Sequence, residues 1–280
     1  MEKETIRKPI VAGSFYPGDP VTLTKLIASF FAEAPKAEPP GDIVGLVSPH
    51  AGYIYSGHVA AIGYKLLEGI DFETVVVISP SHSEYFDGVS VYPGEGYQTP
   101  LGIMKTDIEI IDDISNGSNI VTRAYSGHSI SEAGGEHALE VQIPFIQVVM
   151  PKAKLVPLVM GRQNYAASQS LADDLYRVLK GKSALVIAST DLSHFHSSEQ
   201  ANIFDNNFIT AFEDYDPKRI SDSLETSSCE ACGGGPVIAS MLYAEKLGNP
   251  KATALKYADS SVTSGDKSSV VGYLSGVITI

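Results

Sequence analysis

The chain has 280 residues, 44% of them hydrophobic, which is enough to build one large α/β domain or two small ones. Acidic residues outnumber basic ones by 33 to 20, and the net charge of −13 argues against a general nucleic-acid or anionic-membrane binder. Its two cysteines exclude a disulfide framework, and the lack of a membrane-spanning apolar run or a signal segment predicts a cytoplasmic protein.

The amino-terminal part of the chain predicts a loop and then a helix. Residues 7–18 are rich in glycine and proline, as loops are. Asp19 is the expected N-cap of the first helix, Pro20 suits its first turn, and the helix should run to Glu33. A polar, proline-rich connection over residues 35–41 then leads to the first strand.

Two apolar strands, 43–48 and 74–79, enclose a predicted helix over 56–68 with Ser56 as its N-cap. The first strand breaks at Pro49, because a proline cannot continue a central strand, and His50 follows the break. The second strand ends in Ser-Pro-Ser-His82. This βαβ pattern predicts parallel strands and a right-handed crossover.

The remaining elements alternate in the same way. Short strands are predicted over 88–92 and 101–105, a helix over 107–114, and a loop on the active-site side over 120–136. A helix over 137–150 should be broken or kinked at Pro144, and Pro157 suggests that strand 154–160 is an edge strand or carries a bulge. The later predictions are a helix over 165–181, a strand over 184–190, helices over 198–214 and 234–247, and strands over 253–259 and 269–279.

Three of these strands deliver a histidine to one edge of the predicted sheet. His50 and His82 follow the first two strands, and Asp191 and His194 follow strand 184–190. Ligands of open α/β sheets bind beyond the carboxyl ends of the strands. The recurrence therefore favours one shared polar site over unrelated loop histidines.

His50 and His82 are the best candidates for metal ligands, because neutral imidazole is a common ligand of transition metals. Cys232 can supply a third ligand, since it precedes a predicted helix whose amino terminus would stabilise a thiolate. Two alternatives remain for it: a small buried apolar side chain, or a redox pair with Cys229. A structural zinc site is not indicated, because it would need a second pair of ligands nearby in sequence and none is obvious.

Asp191 and His194 suit proton transfer, with His194 as a general acid or base oriented by a carboxylate. The alternative is that Asp191 caps a turn and His194 faces solvent. One of Tyr53 and Tyr55 could line the pocket. The remaining candidates are assigned to supporting, capping or surface roles: Glu136, His137 and Glu140 as support for the ligands or as caps, and His58, His128 and His196 as structural or surface residues.

Several motifs, in order along nearly the whole chain, closely resemble the Memo family, whose prokaryotic members are also called AmmeMemoRadiSam system protein B. The motifs are Ala12-Gly-Ser-Phe-Tyr-Pro17, Ser48-Pro-His-Ala-Gly-Tyr53, Ser79-Pro-Ser-His82, Glu136-His-Ala-Leu-Glu140, Thr190-Asp-Leu-Ser-His194 and Cys232-Gly. The family is similar in fold to the class III extradiol dioxygenases. The resemblance implies a single α/β domain over residues 1–280, with a mixed, largely parallel central sheet flanked by helices.

The resemblance also implies a metal site. In the dioxygenases, two histidines and a glutamate hold non-haem Fe(II), and a further histidine is the acid or base; in the Memo family a cysteine replaces the glutamate. This pattern places His50, His82 and Cys232 as ligands, with His194 and Asp191 beside them. A thiolate is softer and more easily oxidised than a carboxylate, so dioxygenase activity does not carry over. Iron and copper suit the site best, and zinc also fits.

The leading hypothesis from the sequence is a metal-dependent redox enzyme of the non-haem type. One alternative is a module that binds a peptide or protein in the old active-site cleft, and another is a metal-assisted hydrolase. Eukaryotic relatives are linked to cell motility, receptor tyrosine kinase signalling, phosphopeptide binding and redox chemistry. Prokaryotic relatives imply a functional link to a radical-SAM protein. The substrate, whether a small molecule or a peptide, is not identified by the sequence, and no nucleic-acid or membrane partner is expected.

Overall fold

A nine-stranded sheet forms the centre of the fold in the computed structural model, which describes residues 5–35, 41–128, 130, 131 and 134–280. The fourteen strands of the described residues, including those of two smaller sheets, are β1 (Ile6–Arg7), β2 (Ile43–Ser48), β3 (Thr74–Pro80), β4 (Val89–Val91), β5 (Gly96–Thr99), β6 (Gly102–Lys105), β7 (Val121–Arg123), β8 (Ile130–Ser131), β9 (Gly134–Gly135), β10 (Lys154–Met160), β11 (Ala184–Ser189), β12 (His194–His196), β13 (Lys251–Asp259) and β14 (Val270–Thr279).

The helices of the same residues are α1 (Pro20–Glu33), α2 (Tyr53–Lys65), α3 (Ile108–Gly117), α4 (Ile143–Val149), α5 (Tyr165–Leu179), α6 (Ser198–Glu213), α7 (Pro217–Glu225), α8 (Gly234–Leu247) and the single turn α9 (Ser261–Ser264). A 3-10 turn over Glu140–Gln142 runs directly into α4. Asp19 caps α1 as predicted, because its carboxylate accepts a hydrogen bond of 2.8 Å from the backbone N–H of Thr22.

The large sheet has the order β12-β14-β2-β11-β3-β10-β4-β7, and β13 pairs with β14. Its four central strands, β2, β11, β3 and β10, are parallel. Antiparallel pairs begin at both sides, where β14 joins β2 and β4 joins β10. The predicted α/β class, with a mixed central sheet, is therefore confirmed.

Alternating residues of the central strands bury both faces of the sheet. In β3, Val75 and Val77 pack with α1, α2 and α4, whereas Val76 and Ile78 pack with α3, α5, α6, α7 and α8. A parallel sheet covered on both faces needs such continuous apolar strands. The helices on both faces confirm the predicted flanking layers.

Three local predictions were wrong, in addition to that for Pro157. Gly52, not Ser56, precedes α2, and the Ser56 hydroxyl donates to the carbonyl of Ala51. Pro144 lies in the first turn of α4, where a proline is tolerated, and does not kink a longer helix. The predicted loop over 120–136 contains β7, β8 and β9, although residues 129, 132 and 133 lie outside the described part. Residues 36–40 of the predicted connection and residues 1–4 also lie outside it.

Pro157 lies in an interior strand, so the prediction of an edge strand or a bulge was wrong. β10 pairs with β3 along its whole length, with Pro157 beside Val77. On its other side the pairing with β4 begins only at Leu158, which lies opposite Val91. The proline therefore sits just beyond the end of the second ladder, where its missing N–H costs no ladder hydrogen bond.

Within the described ranges, no helix is both long enough and apolar enough to cross a membrane.

Candidate metal centre

The carboxyl ends of three adjacent parallel strands carry the predicted histidines. β11 lies between β2 and β3, so the segments that follow these strands meet at one edge of the sheet. His50 comes two residues after β2, His82 comes two residues after β3, and Asp191 comes two residues after β11. Cys232 reaches the same edge from the segment between α7 and α8.

His50, His82 and Cys232 converge on one point, as predicted. One ligand atom from each of the three side chains lies within 4.8 Å of the others. The Nε2 atom of His50 is 3.2 Å from the Sγ atom of Cys232. The two imidazole rings meet edge to face, with their centroids 5.2 Å apart. Two imidazoles and a thiol at this spacing are a donor set that late transition metals accept.

The hydrogen bonds of Ser189 determine which nitrogen of His50 is free. The Ser189 hydroxyl donates its single proton to the carbonyl of Ala138 at 2.8 Å. His50 Nδ1 lies 2.9 Å from the same oxygen and must therefore be the donor of that contact. The lone pair of His50 is then on Nε2 and faces Cys232. Burial is the main cause that holds the pKa of His50 well below its usual range, so the ring is neutral and ready to bind a metal.

Glu136 orients His82 in the same way. The carboxylate of Glu136 accepts from the Nδ1–H of His82 at 3.0 Å, and its other oxygen accepts from the backbone N–H of His82. A carboxylate behind an imidazole leaves the other ring nitrogen free for a metal and raises its basicity. Burial alone would lower the pKa of His82, but Glu136 outweighs it and raises that pKa. The predicted support role of Glu136 fits this contact.

Cys232 is held by contacts with Asp191 and Gln163. The backbone N–H of Asp191 donates to Sγ at 3.2 Å, and the carbonyl of Cys232 accepts from Nε2 of Gln163 at 2.7 Å. The expectation that a helix amino terminus would stabilise the thiolate of Cys232 was wrong, because burial raises the pKa of its thiol. The helix terminus does not offset burial: the N–H groups of Gly233 and Gly235 donate to Thr190 and Gln163, not to the sulfur.

Asp191 and His194 lie at the same edge of the sheet. The Asp191 carboxylate is buried and accepts from the backbone N–H of His50 at 2.8 Å, and burial raises its pKa to about 7. Nδ1 of His194 is 2.8 Å from the carbonyl of Leu192, which leaves Nε2 with the lone pair. Burial lowers the pKa of His194, so its free nitrogen can accept a proton at neutral pH.

His137 is a site residue whose position the sequence reasoning underrated. Its ring stacks on His82 at 5.0 Å and meets His50 edge-on at 5.7 Å, with Phe15 on another side at 4.8 Å. Among the described residues neither ring nitrogen has a hydrogen bond, and the nearest carboxylate, Glu136, is 3.8 Å away. Its place in the Glu-His-Ala-Leu-Glu motif was the available signal.

His82, Glu136 and His137 form a second group whose ligand atoms lie within 4.8 Å of one another. The carboxylate of Glu136 already accepts from the side chain and backbone of His82 and from the backbone N–H groups of His137 and Ala138. Because these donors occupy both oxygens, the second group is a hydrogen-bond network that positions His82 rather than a second metal site.

Glu140 supports the site indirectly, through Arg7, which contacts both Glu140 and Glu136. Its buried carboxylate accepts from the guanidinium of Arg7 at 2.7 Å, from the hydroxyl of Tyr16 at 2.7 Å, and from the N–H groups of Ile10 and Val11 at 3.0 Å. Arg7 also donates to the carbonyl of Glu136 at 2.6 Å. The amino-terminal segment is thereby tied to the motif that orients His82.

Two cavities adjoin these side chains, and each encloses about 420 Å³. His194 lines both. The Cys232 cavity is lined by Gln163, Asn164, Tyr165, Leu192, His194, Ser221, Leu224, Glu225, Ser227, Cys229, Glu230, Ala231, Cys232, Gly235 and Ile238. The Phe15 cavity is lined by Phe15, Ala51, Gly52, Tyr55, His137, Asp191, His194, Ser260, Ser264, Asp266, Ser269, Val271 and Tyr273.

The other candidates fall outside the centre. Tyr55 lines the Phe15 cavity, whereas Tyr53 is buried and donates to a backbone carbonyl. His128 is buried against Tyr97, and His196 pairs with Glu230 at 2.9 Å. Cys229 is a free, buried thiol in the hydrophobic core, whereas Cys232, for which a buried apolar role was the alternative, is only half-buried.

The sequence of the chain is similar to a family model and to several known proteins. The sequence model described as "Memo-like protein" matches residues 7–277. A "MEMO1 family protein" of Ignicoccus hospitalis is 38% identical over 281 residues, covering 96% of each chain. A protein of the same description from Methanosarcina mazei is 36% identical over 276 residues, covering 98% of this chain and 99% of the relative.

A crystal structure of an uncharacterized Escherichia coli K12 protein has a similar fold. The TM-score is 0.54 at 14% sequence identity, over 85% of this chain and all of that one. At this identity the likeness concerns the fold alone.

Proposed function

This chain belongs to the Memo family, and from that premise we propose that it binds a transition-metal ion through His50, His82 and Cys232 and carries out redox chemistry there on a small molecule. The observation that supports the proposal most directly is the paired orientation of the imidazoles. Nδ1 of His50 is tied to Ser189 and Nδ1 of His82 to Glu136. Both Nε2 lone pairs are thus available to one ion, with a thiol as the third donor.

The donor set favours iron or copper. A thiolate is a soft ligand that suits Cu and Fe and is itself oxidisable, and zinc would accept the same set without redox chemistry. A redox-active ion bound here would supply one-electron chemistry. The protein's own part is to hold the ligands, to exclude water by burying His50, and to move protons.

His194 is the proposed acid or base. Its Nε2 is free because Nδ1 faces the carbonyl of Leu192, and its ring lines both cavities. It can take a proton from a substrate hydroxyl in either cavity. Asp191 fixes the backbone of His50 and, with a pKa of about 7, holds or gives up a proton near neutrality. Both residues therefore act beside the ligands, without being ligands.

A binding module that needs no catalysis is the second candidate. The breadth of the two cavities and the exposed ring of Phe195, which is 79% accessible beside His194, suit a peptide or protein ligand. Such a module has no use for a thiol aimed at an imidazole lone pair, so the redox proposal ranks first.

Metal analysis separates the two candidates. The protein is purified without oxygen and its metal content is measured for the wild type, His50→Ala, Cys232→Ala and a control, His196→Gln. We expect the first two variants to lose the metal and the control to keep it. Oxygen uptake is then followed with catechols and with other reductants. Wild-type protein that retains no metal, and that no added metal activates, would favour the binding module.

His194→Gln tests the proton role. We expect this variant to keep its metal but to lose about 100-fold in rate, since general acid–base catalysis contributes factors of that order. Loss of the metal in His194→Gln would instead make His194 a ligand.

A further inference from the structure

We propose, resting on the proposed function, that the substrate is a small ring-bearing molecule with a protonated amine, and that it binds in the Phe15 cavity. Four kinds of group line this cavity: the aromatic rings of Phe15, Tyr55 and Tyr273, the carboxylates of Asp191 and Asp266, three serine hydroxyls, and the imidazoles of His137 and His194. Aromatic faces beside carboxylates are the chemistry that proteins use to bind ammonium groups.

Neither cavity at the metal centre has a lysine or an arginine among its lining residues, which all belong to the described part of the chain. A substrate carboxylate or phosphate would find no cationic side chain there to pair with. Lys267 follows Asp266 in sequence but lines a separate groove with Ser197, Glu199 and Asn202. The side chains that line the two cavities therefore disfavour an anionic substrate.

Asp266 is the carboxylate best placed to bind a cation. It is exposed, and its pKa is held below the usual range by hydrogen bonds from the hydroxyl and the backbone N–H of Ser268. It is therefore ionised across the neutral range. No ion pair to a lysine or arginine engages it among the described residues, so its charge is available to a ligand.

The Cys232 cavity fits a cation less well. Glu230, one of its two carboxylates, already pairs with His196 at 2.9 Å. Lys218 lies 5.4 Å from the ring centroid of Tyr165, which lines that cavity. The charge of a bound metal must also be counted, since it would repel an ammonium group. The thiolate of Cys232 offsets part of that charge, and the carboxylate of Asp266 lines the Phe15 cavity but not the Cys232 cavity.

The test is a charge series of one ring. Tyramine, p-cresol and 4-hydroxyphenylacetate share a phenol and differ in charge, and none of them chelates a metal as a catechol does. Their dissociation constants are measured by calorimetry on the protein as purified and on protein loaded with Zn(II). We expect tyramine to bind about five- to thirty-fold more tightly than 4-hydroxyphenylacetate at low ionic strength, with p-cresol between them. The preference should shrink to about threefold or less in 1 M salt.

Two variants locate the effect. Asp266→Asn should weaken tyramine about three- to tenfold and leave p-cresol unchanged. Glu225→Gln, the matched removal of a carboxylate from the Cys232 cavity, should change neither. A preference for 4-hydroxyphenylacetate, equal binding of all three, or no binding of tyramine overturns the inference. Loss of tyramine binding in Glu225→Gln but not in Asp266→Asn overturns the placement.

The test of metal binding and the test of substrate charge can fail independently. If no metal binds at His50, His82 and Cys232 but tyramine is still preferred, the proposed function fails and the charge preference stands. If the metal binds and the anion is preferred, only the inference about the substrate fails.

Discussion

The Nε2 atom of His50 and the Sγ atom of Cys232 lie 3.2 Å apart, although the residues are 182 positions apart in the chain. Because Nδ1 of His50 donates to Ser189, Nε2 carries the lone pair, and the thiol of Cys232 is the group that donates across this contact. A metal ion has to displace that thiol proton to bind. This relationship controls the reactivity of the cysteine and the pH dependence of metal binding.

Cys232 should react slowly with iodoacetamide in the metal-free protein. Burial raises the pKa of its thiol, and the thiolate is the nucleophile. We expect the labelling rate near pH 7 to lie well below that of a free thiol and to rise about tenfold per pH unit, as read residue by residue by mass spectrometry. Anaerobic Fe(II) should suppress the labelling of Cys232 further.

Cys229 provides the internal control for that experiment, since it lies in the same cavity wall but in the hydrophobic core. Its labelling should not respond to Fe(II). If Cys232 labels equally with and without a metal whose binding has been confirmed, the third ligand lies elsewhere. Rapid labelling at pH 7 would contradict the raised pKa.

Metal affinity should rise with pH. Across the neutral range His50 is already neutral, since burial lowers its pKa, whereas Cys232 is protonated, since burial raises its pKa. Binding therefore releases the thiol proton, and the dissociation constant should fall about tenfold for each unit of pH. In more acidic solution His82, whose pKa is raised, must also lose a proton, so the dependence should steepen.

Competition with a chelator of known proton affinity measures this dependence between pH 6 and 9. The Cys232→Ala variant should bind weakly and should lose the slope in the neutral range. A wild-type dissociation constant that stays constant from pH 7 to 9 would mean that no thiol proton is released.

Glu136→Gln should weaken metal binding about 10- to 100-fold, the usual cost of removing a carboxylate behind a metal-binding histidine. The amide has one acceptor oxygen where the carboxylate has two, so it no longer accepts from both the ring and the backbone of His82 as the carboxylate does. It also lacks the negative charge that raises the basicity of the ring. Calorimetric titration with Zn(II) measures the change. Glu84→Gln, a neighbouring carboxylate that accepts from Gly127, is the control and should leave the affinity unchanged.

Glu140→Gln should destabilise the fold by about 3–5 kcal/mol, because it leaves the charge of Arg7 buried without a counterion. Tyr16→Phe removes only one neutral donor from the same carboxylate and should cost about 1 kcal/mol. Urea unfolding of the metal-free variants gives both free energies. Equal costs for the two changes would show that the Arg7–Glu140 charge pair is not the main contribution.

The strand ends could be predicted from the sequence because the signal is local. An apolar run stopped by Ser-Pro or Ser-Thr and followed by histidine or aspartate gives both the strand and the residue at its carboxyl end, as for His50, His82 and Asp191. α7 was missed, although Asp216 before Pro217 repeats the signal of Asp19 before Pro20, because the stretch has few apolar residues. Cys232 was proposed as the third partner because a helix was predicted after it, and the family motifs indicated the same residue.

The pKa values, the tautomers and the side-chain positions that depend on contacts between distant residues could not be predicted from the sequence. The thiol pKa of Cys232 depends on where the N–H groups of Gly233 and Gly235 point, and Thr190 and Gln163 take them. The tautomer of His50 depends on a proton that Ser189 gives to Ala138. The position of His137 depends on packing against Phe15 from the amino-terminal segment. Each of these contacts joins residues far apart in sequence.

The strand order has a consequence for how the chain folds as it is made. Among the described strands of the large sheet, β2 is the first to be synthesised, but its neighbours are β11 and β14, and β14 is the last. Pairings between such distant segments require long loops to close first, so folding should be slow for the size of the chain. Until β14 has been synthesised and has paired, β2 has an exposed apolar edge that other nascent chains can pair with.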